Sequence, residues 1–247
     1  MTQYSGLLKI VRFNWPWYVG TAVVTAAALA LLWSGAFRGP WIALLITAFL
    51  VSSIWIALSL CVSHYVYDRS PISRGGWLEG TDPVAVRNVA VFHAGQDEAS
   101  HFVARALPLA QIHRFDFYDP MRTGTPSLKR ARALAERDDP SIESDKIPLR
   151  NETLDLGLVV FAAHEIREDK QRASFFRELA RALTTSGRIV VVEHLRDGWN
   201  FLAYGPGAFH FLSAQTWRRS FVNGGLTISS ETSCTPFVRV FELRKCS

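Results

Sequence analysis

The 247-residue sequence predicts an α/β domain built around a mostly parallel sheet, preceded by two membrane-spanning helices. Three observations lead there. Hydrophobic residues make up 49% of the chain and are concentrated, so that between Trp15 and Val62 the one charged side chain is Arg38. From Asn88 onward, short apolar runs alternate with amphipathic segments. Apolar strands separated by helices form a parallel sheet covered on both faces.

The first apolar stretch runs from Trp17 to Trp33 and the second from Trp41 to about Tyr65. A spanning helix needs about 20 apolar residues, so both stretches suffice. Trp15, Trp17, Trp33, Trp41, Tyr65 and Tyr67 lie at their ends, where amphipathic rings prefer the membrane–water interface. Gly35, Gly39 and Pro40 mark a short turn between antiparallel helices. Lys9 and Arg12 precede the pair and Arg69 and Arg74 follow it, whereas the connecting loop carries only Arg38. The positive-inside rule then places the N-terminus and the rest of the chain in the cytoplasm. A cleaved signal peptide would require a small-residue cleavage pattern, which is missing, and would not account for the second stretch. The chain therefore divides into a hairpin over 1–66, a linker over 67–87 and an α/β domain over 88–247.

Composition narrows the partners. The net charge is +5, from 27 basic and 22 acidic residues, but no dense basic run interleaves with aromatics, so nucleic acid is not expected. Part of the excess flanks the apolar stretches, where anionic headgroups account for it. Cys61, Cys234 and Cys246 are odd in number and lack C-x-x-C spacing, which indicates neither a disulfide framework nor a zinc site. A reducing compartment fits.

The elements of the domain follow in order. NVAVFHAG (88–95) is a buried strand ending at a glycine, and DEASHFVARALP is a helix stopped by Pro108. AQIHRFDF (110–117) is a second strand. TPSLKRARALAERDD (125–139) is a helix with Thr125 as N-cap, Pro126 at its first position, and Leu128, Ala131, Leu134 and Ala135 as its apolar stripe. SIESDKIPL is a weak third strand and LDLGLVVFAAHE (154–165) a buried fourth. DKQRASFFRELARALTTSG is an amphipathic helix with Gly187 as its C-terminal glycine, and RIVVVEH (188–194) is a fifth strand. SAQTWRRSFVNGG (213–225) is a helix capped by Ser213, and LTISSET and FVRVFELRK close the chain as two strands.

DKIPLRNETLDLGLVVFAAHEI (145–166), taken with FFRELARALTTSGRIVVVEH (175–194), is similar to a pattern of class I S-adenosylmethionine-dependent methyltransferases. That pattern is an L-P-F-like turn, then s-F-D-x-v, a helix reading R-x-L-k-p-G-G, and a strand ending in an acid. The resemblance covers nearly all of 88–244, and its nearest parallel is the branch containing quinone-biosynthesis methyltransferases. It implies a Rossmann-like fold with a seven-stranded sheet, the last strand antiparallel, and S-adenosyl-L-methionine at the carboxyl ends of the first strands, in accord with the general rule for open α/β sheets.

Carried over by position, His93, Ala94, Gly95 and Glu98 take the place of the glycine-rich first motif. Asp116, with Tyr118 and Asp119 beside it, stands where an acid grips the ribose. Glu143, Ser144 and Asp145 stand where the adenine is contacted, and Ala162 and Ala163 close the fourth strand beside the cofactor. The usual G-x-G is absent, since HAGQDE keeps a single glycine.

The strand ends bring together His93, His164-Glu165 and Glu193-His194. Methyl transfer needs a base near the acceptor proton, and His164 or His194 would serve, oriented by Glu165 or Glu193. Hydrogen bonding to loop backbones is the structural alternative. A metal site is not predicted, because adjacent residues of an extended strand point to opposite sides. DGWNFLAYGPGAFHFL (197–212) is aromatic-rich and stands where an acceptor lid would be, with Tyr204 and His210 among its polar groups. The expected function is a membrane-anchored, S-adenosylmethionine-dependent methyltransferase acting on a small, lipophilic acceptor. The alternatives are a degenerate methyltransferase-like scaffold and a metal-dependent enzyme using the His/Glu cluster. Sequence does not indicate the oligomeric state.

Overall fold

The computed structural model describes residues 5–35, 39–121, 126–133 and 139–246. Two long helices come first, α1 (Ser5–Trp33) and α2 (Pro40–His64). Helix α1 begins well before the apolar stretch because Asp68 caps it, accepting the backbone N–H of Gly6 at 2.7 Å and of Leu7 at 2.9 Å. Gly6 permits this approach, since a Cβ there would lie 2.5 Å from that of Tyr67. Arg38 lies outside the described residues.

The segment after α2 is a run of short, irregular turns. It forms a π-helical turn (Tyr65–Arg69) and two 3-10 turns (Pro71–Arg74 and Gly76–Leu78). Val66, Ile72, Trp77 and Leu78 are buried there against the sheet.

The sheet contains β1 (Asn88–His93), β2 (Gln111–Asp116), β3 (Leu154–Val160), β4 (Leu183–His194), β5 (Leu226–Thr235) and β6 (Val238–Lys245). Its order is β2-β1-β3-β4-β6-β5. Strands β1 to β4 pair in parallel, and β6 runs antiparallel to β4 and β5. Alternating residues of β1 serve opposite faces: Val89 and Val91 pack toward α2 and the short turns, Ala90 and Phe92 toward the other layer. Helix α3 (Ser100–Ala106) contributes Val103 to the first face. Helices α5 (Asp169–Ala182) and α7 (Ala214–Asn223) cover the second with Phe175, Phe176, Trp217 and Phe221. Helix α4 (Pro126–Arg132) follows β2, and α6 (Gly198–Tyr204) follows β4.

Three expectations change. The sheet has six strands among the described residues, not seven, because the segment read as the third strand makes a single parallel bridge, Ser141 to Asp116. The strand read as 154–165 stops at Val160, where Phe161 adopts a left-handed φ of 50° and the chain turns into a 3-10 turn (Ala163–Glu165). Helix α5 ends at Ala182 and not at Gly187, because Leu183 already pairs with Leu154 in the sheet. Gly187 lies inside β4, where a Cβ would meet the Leu154 carbonyl oxygen at 2.7 Å. Of α4, the expected cap Thr125 and the stripe residues Leu134 and Ala135 fall outside the described residues. Ser213 caps α7 as expected, accepting the Thr216 N–H at 3.2 Å.

Candidate active site

The parallel strands aim their carboxyl ends at one side of the sheet, and there a cavity of about 860 Å³ opens. The domain supplies Ala94, Gln96 and Glu98 from the loop after β1, Phe161, His164 and Glu165 after β3, and His194 at the end of β4. The opposite wall comes from the helical hairpin, with Phe13 and Trp17 of α1 and Trp55 and Ser63 of α2. Tyr204, Gly205 and His210 close one end.

The kink at Phe161 decides the chemistry of the corner. A bulky residue at positive φ is strained, and such residues concentrate at functional sites. Had the strand continued, His164 and Glu165 would point apart. The 3-10 turn instead brings both into one cluster. Glu193, fully buried, accepts the His164 backbone N–H at 3.2 Å and lies 2.8 Å from His164 Nδ1. This fixes the ring and leaves Nε2 facing Glu165 Oε1 at 3.5 Å. His210 Nε2 lies 3.2 Å from the same Glu165 oxygen.

Burial alone would lower the pKa of His164, but the Glu193 carboxylate, with hydrogen bonds to Glu165 and Glu193, drives it up to about 10. Burial likewise opposes the ionised form of Glu165, yet hydrogen bonds from His164 and His210 hold its carboxyl well below the usual range. Both shifts favour the charged forms of His164 and Glu165 beside one another.

His164, Glu165 and His210 present ligand-type atoms within 4.8 Å of one another. Their hydrogen bonds join them in one chain with Glu193 and Arg167. Arg167 donates to His210 Nδ1, which leaves His210 Nε2 to donate toward Glu165. Both nitrogens of His164 face carboxylates.

His194 belongs to a different setting. Its Nδ1 donates to the Phe237 carbonyl at 2.9 Å, and its Nε2 accepts the Tyr67 hydroxyl at 2.9 Å. Phe161 and Phe211 stack on either side, with ring centroids 5.0 and 4.9 Å away. Burial pushes its pKa down to about 4 against the opposing Phe237 hydrogen bond, with positively charged His164 adding to the fall. It makes no hydrogen bond to Glu193 or Glu165. Tyr204 lies edge-on to it at 5.6 Å, and burial raises the Tyr204 pKa to about 12. Sequence reasoning missed Tyr67, which the π-helical turn inserts between α2 and the strand tips. Its hydroxyl pKa is raised well above the usual value by burial, with Tyr204, Glu98 and Glu193 adding to it.

The residues carried over for S-adenosylmethionine divide. Ala94 and Glu98 line the cavity. His93 and Asp116 pair across the first two strands, both buried, and Gly95 makes its turn at φ 90°. His93 Nε2 lies 3.2 Å from Asp139. Asp119 accepts the Met121 N–H at 2.8 Å and stands apart from the cavity lining. Glu143 and Asp145 are exposed, while Ser144 is buried and accepts from Gln171 at 2.8 Å. Ala162 and Ala163 are buried in the core, so Phe161 and His164 take their place at the cavity.

An acid for a ribose diol (Asp116), a ring face for a flat base (Tyr118) and a glycine turn are present at the strand tips, so the residue types fit the nucleoside. Arg132 now makes both of those contacts, ion-paired with Asp116 and lying 4.5 Å over the Tyr118 ring. Neither Asp116 nor Tyr118 is among the residues that line the cavity. The Arg132 side chain is 38% exposed and has solvent into which to withdraw.

The sequence matches no protein-family model and no curated protein. Solved structures are similar in fold. Mitomycin 7-O-methyltransferase aligns over 100% of this chain and 74% of its own, with a TM-score of 0.57 and 15% identity. Human N-acetylserotonin methyltransferase, solved in complex with S-adenosylmethionine, aligns over 78% of this chain and 55% of its own, with a TM-score of 0.51 and 15% identity. At such identities the likeness establishes architecture: the sheet and its flanking helices form a Rossmann-like methyltransferase fold.

Proposed function

We propose that the chain is a membrane-anchored, S-adenosylmethionine-dependent methyltransferase acting on a small, lipophilic acceptor, with His164 governing the acceptor proton. One observation carries this reading. A buried carboxylate, Glu193, holds the histidine by its backbone and by Nδ1, the opposite ring nitrogen makes only a long contact with Glu165, and both residues line a cavity large enough for an organic acceptor.

Asp116 and Tyr118 would hold the nucleoside once Arg132 withdraws, and Ala94 and Gly95 would flank the amino-acid portion. When bound, S-adenosylmethionine supplies an electrophilic methyl group. An acceptor hydroxyl seated between His164 and Glu165 would replace the long contact between them. Ionised acceptors would be neutralised by the imidazolium, whereas a neutral hydroxyl needs His164 in its unprotonated form.

The surface of the two long helices supports the anchoring. Helices α1 and α2 expose apolar residues around their circumference, among them Val19, Val23, Val24 and Leu29 on α1 and Leu44, Phe49, Leu50 and Val51 on α2. A helix apolar all round suits hydrocarbon better than a one-sided protein contact. Thr21 and Ser52 satisfy their hydroxyls on the carbonyls of Trp17 and Ala48, as a dry environment demands. Both helices are long enough to cross a bilayer.

The degenerate scaffold is the second reading, and two observations favour it. Asp97 already accepts the N–H groups of Ala99 and Ser100 at the start of α3, and Arg132 already holds Asp116. Isothermal titration of full-length protein with S-adenosylhomocysteine separates the two. The transferase reading expects binding that tightens in Arg132→Ala and weakens in Asp116→Asn. Silence at millimolar ligand in both wild type and Arg132→Ala leaves the scaffold.

A further inference from the structure

The segment that closes the cavity presents an apolar surface of its own. Helix α6 and the 3-10 turn after it (Gly205–His210) expose Trp199 (59%), Phe201 (43%), Leu202 (55%) and Phe209 (65%). The Phe201 and Phe209 rings pack at 5.8 Å, so these residues form one patch. A soluble surface seldom gathers aromatic and aliphatic groups in this way without a partner.

What covers the patch follows from where it touches the anchor. Trp55 of α2 donates from its indole nitrogen to the Leu202 carbonyl at 2.8 Å, and Phe201 meets its ring edge at 6.3 Å. Gly205, at φ 55°, lets the turn close on the same ring, where a Cβ would lie 3.0 Å away. Helix α2 begins at Pro40, and a hydrocarbon core about 30 Å thick consumes about 20 residues, which end near Ser59. Trp55 therefore lies about four residues, or roughly 6 Å, on the bilayer side of that boundary. Interfacial elements commonly bury their apolar face about 5–10 Å into the headgroup and acyl boundary. Helix α1 agrees: Arg130 donates to the Phe13 carbonyl at 2.8 Å, and from Asn14 to Trp33 there remain about 20 residues to span the core. Basic Lys9, Arg12, Arg69 and Arg74 sit at this same end of the hairpin, where headgroups would meet them.

The geometry points to α6 and the turn after it as a lid inserted in the cytoplasmic leaflet, with Trp199, Phe201, Leu202 and Phe209 among the acyl chains. The inference rests on the membrane reading above and adds a third point of attachment. It also defines a path. Trp17 and Trp55 of the spans, Tyr204 and Gly205 of the lid, and His164 line one continuous cavity, so an acceptor dissolved in the leaflet reaches His164 without crossing water.

A polarity-sensitive, thiol-reactive fluorophore on the full-length chain tests this. Cys61, Cys234 and Cys246 are replaced by serine, Phe209→Cys supplies the labelling position, and the protein is reconstituted in phosphatidylcholine/phosphatidylglycerol vesicles. Val222→Cys is the reference, because Val222 is 66% exposed on α7, across the sheet from the hairpin. The expected result is blue-shifted emission at position 209, with quenching by a shallow nitroxide lipid several-fold stronger than at 222 and iodide quenching correspondingly weaker. Trp199→Cys repeats the measurement in case Phe209→Cys fails to fold. Equal iodide access at 209, 199 and 222 overturns the lid. Alkaline carbonate extraction of the same vesicles separates the two levels: release of the chain refutes the anchor itself, whereas retention with a water-exposed position 209 refutes only the lid.

Discussion

His164 follows β3 and His194 ends the neighbouring β4, each has a glutamate beside it in sequence, and both are almost wholly buried at one cavity. Yet His164 is driven up to about 10 and His194 down to about 4. Burial pushes both the same way. The difference is that His164 meets the carboxylates of Glu193 and Glu165, whereas His194 meets neutral groups: the Phe237 carbonyl, the Asn200 amide oxygen, the Tyr67 hydroxyl and aromatic faces. Protonation state here follows from the nearest charged neighbours, which sequence adjacency does not specify. The glutamate adjacent to His194 serves His164.

Replacement of each histidine gives the largest contrast. His164→Ala is expected to lower kcat/KM for methyl transfer by about 10²–10⁴, the usual worth of a positioned acid–base group. His194→Ala should lose stability and leave the rate per folded molecule largely intact. A rate assay normalised to folded protein, using radiolabelled methyl donor and a membrane lipid extract, checks both, and equal rate losses would remove the distinction.

The next contrast is in pH. With a neutral acceptor hydroxyl, kcat/KM should rise with pH toward about 10 as His164 loses its proton. Glu165→Gln removes one carboxylate, lowers the His164 pKa and moves that rising limb to lower pH. Glu193→Gln should move it further and also reduce the plateau, since the ring loses its fixed orientation. Imidazole NMR shifts measure the pKa independently of turnover.

Stability separates the histidines at opposite ends of the pH scale. The folded pKa of His194 lies below its unfolded value of about 6.5, so its contribution is complete above that pH and lost as pH falls toward about 4. The shift corresponds to about 3 kcal/mol at most. The folded pKa of His164 is raised, so its contribution is complete below about 6.5 and lost as pH rises through about 10. Thermal unfolding at pH 7 and pH 4.5 should show a smaller acid loss in His194→Phe than in wild type.

Tyr67→Phe is the finest probe. It removes the hydroxyl that donates to His194 Nε2 and should cost about 1–2 kcal/mol of unfolding free energy, with a small rise in the His194 pKa. Urea unfolding and NMR titration of the same variant give both values.

Much of the architecture is legible from local pattern. An apolar run interrupted only by Arg38 indicates two long helices, and alternating apolar segments indicate the parallel strands and their covering helices. The Ser213 cap reads directly because its hydrogen bond spans three residues. The misread ends share one cause. Leu183 leaves α5 for the sheet because Leu154 is there to pair with it, and β3 ends at Val160 because Phe161 accepts a strained conformation. Both depend on partners distant in sequence. The candidate site behaves likewise: its histidines and glutamates are visible as residue types at strand ends, but Arg132 on Asp116 and Tyr67 on His194 join residues 16 and 127 positions apart.

The sequence by itself determined the apolar hairpin, the alternation of strands and helices, and the gathering of histidine and glutamate at the strand tips, because hydrophobic periodicity and chain order are local properties. Only the tertiary structure decided which glutamate grips which histidine, which histidine carries a proton, and that the hairpin forms one wall of the cavity. Electrostatic energy depends on distance and burial in space, and both arise only after the strands are side by side.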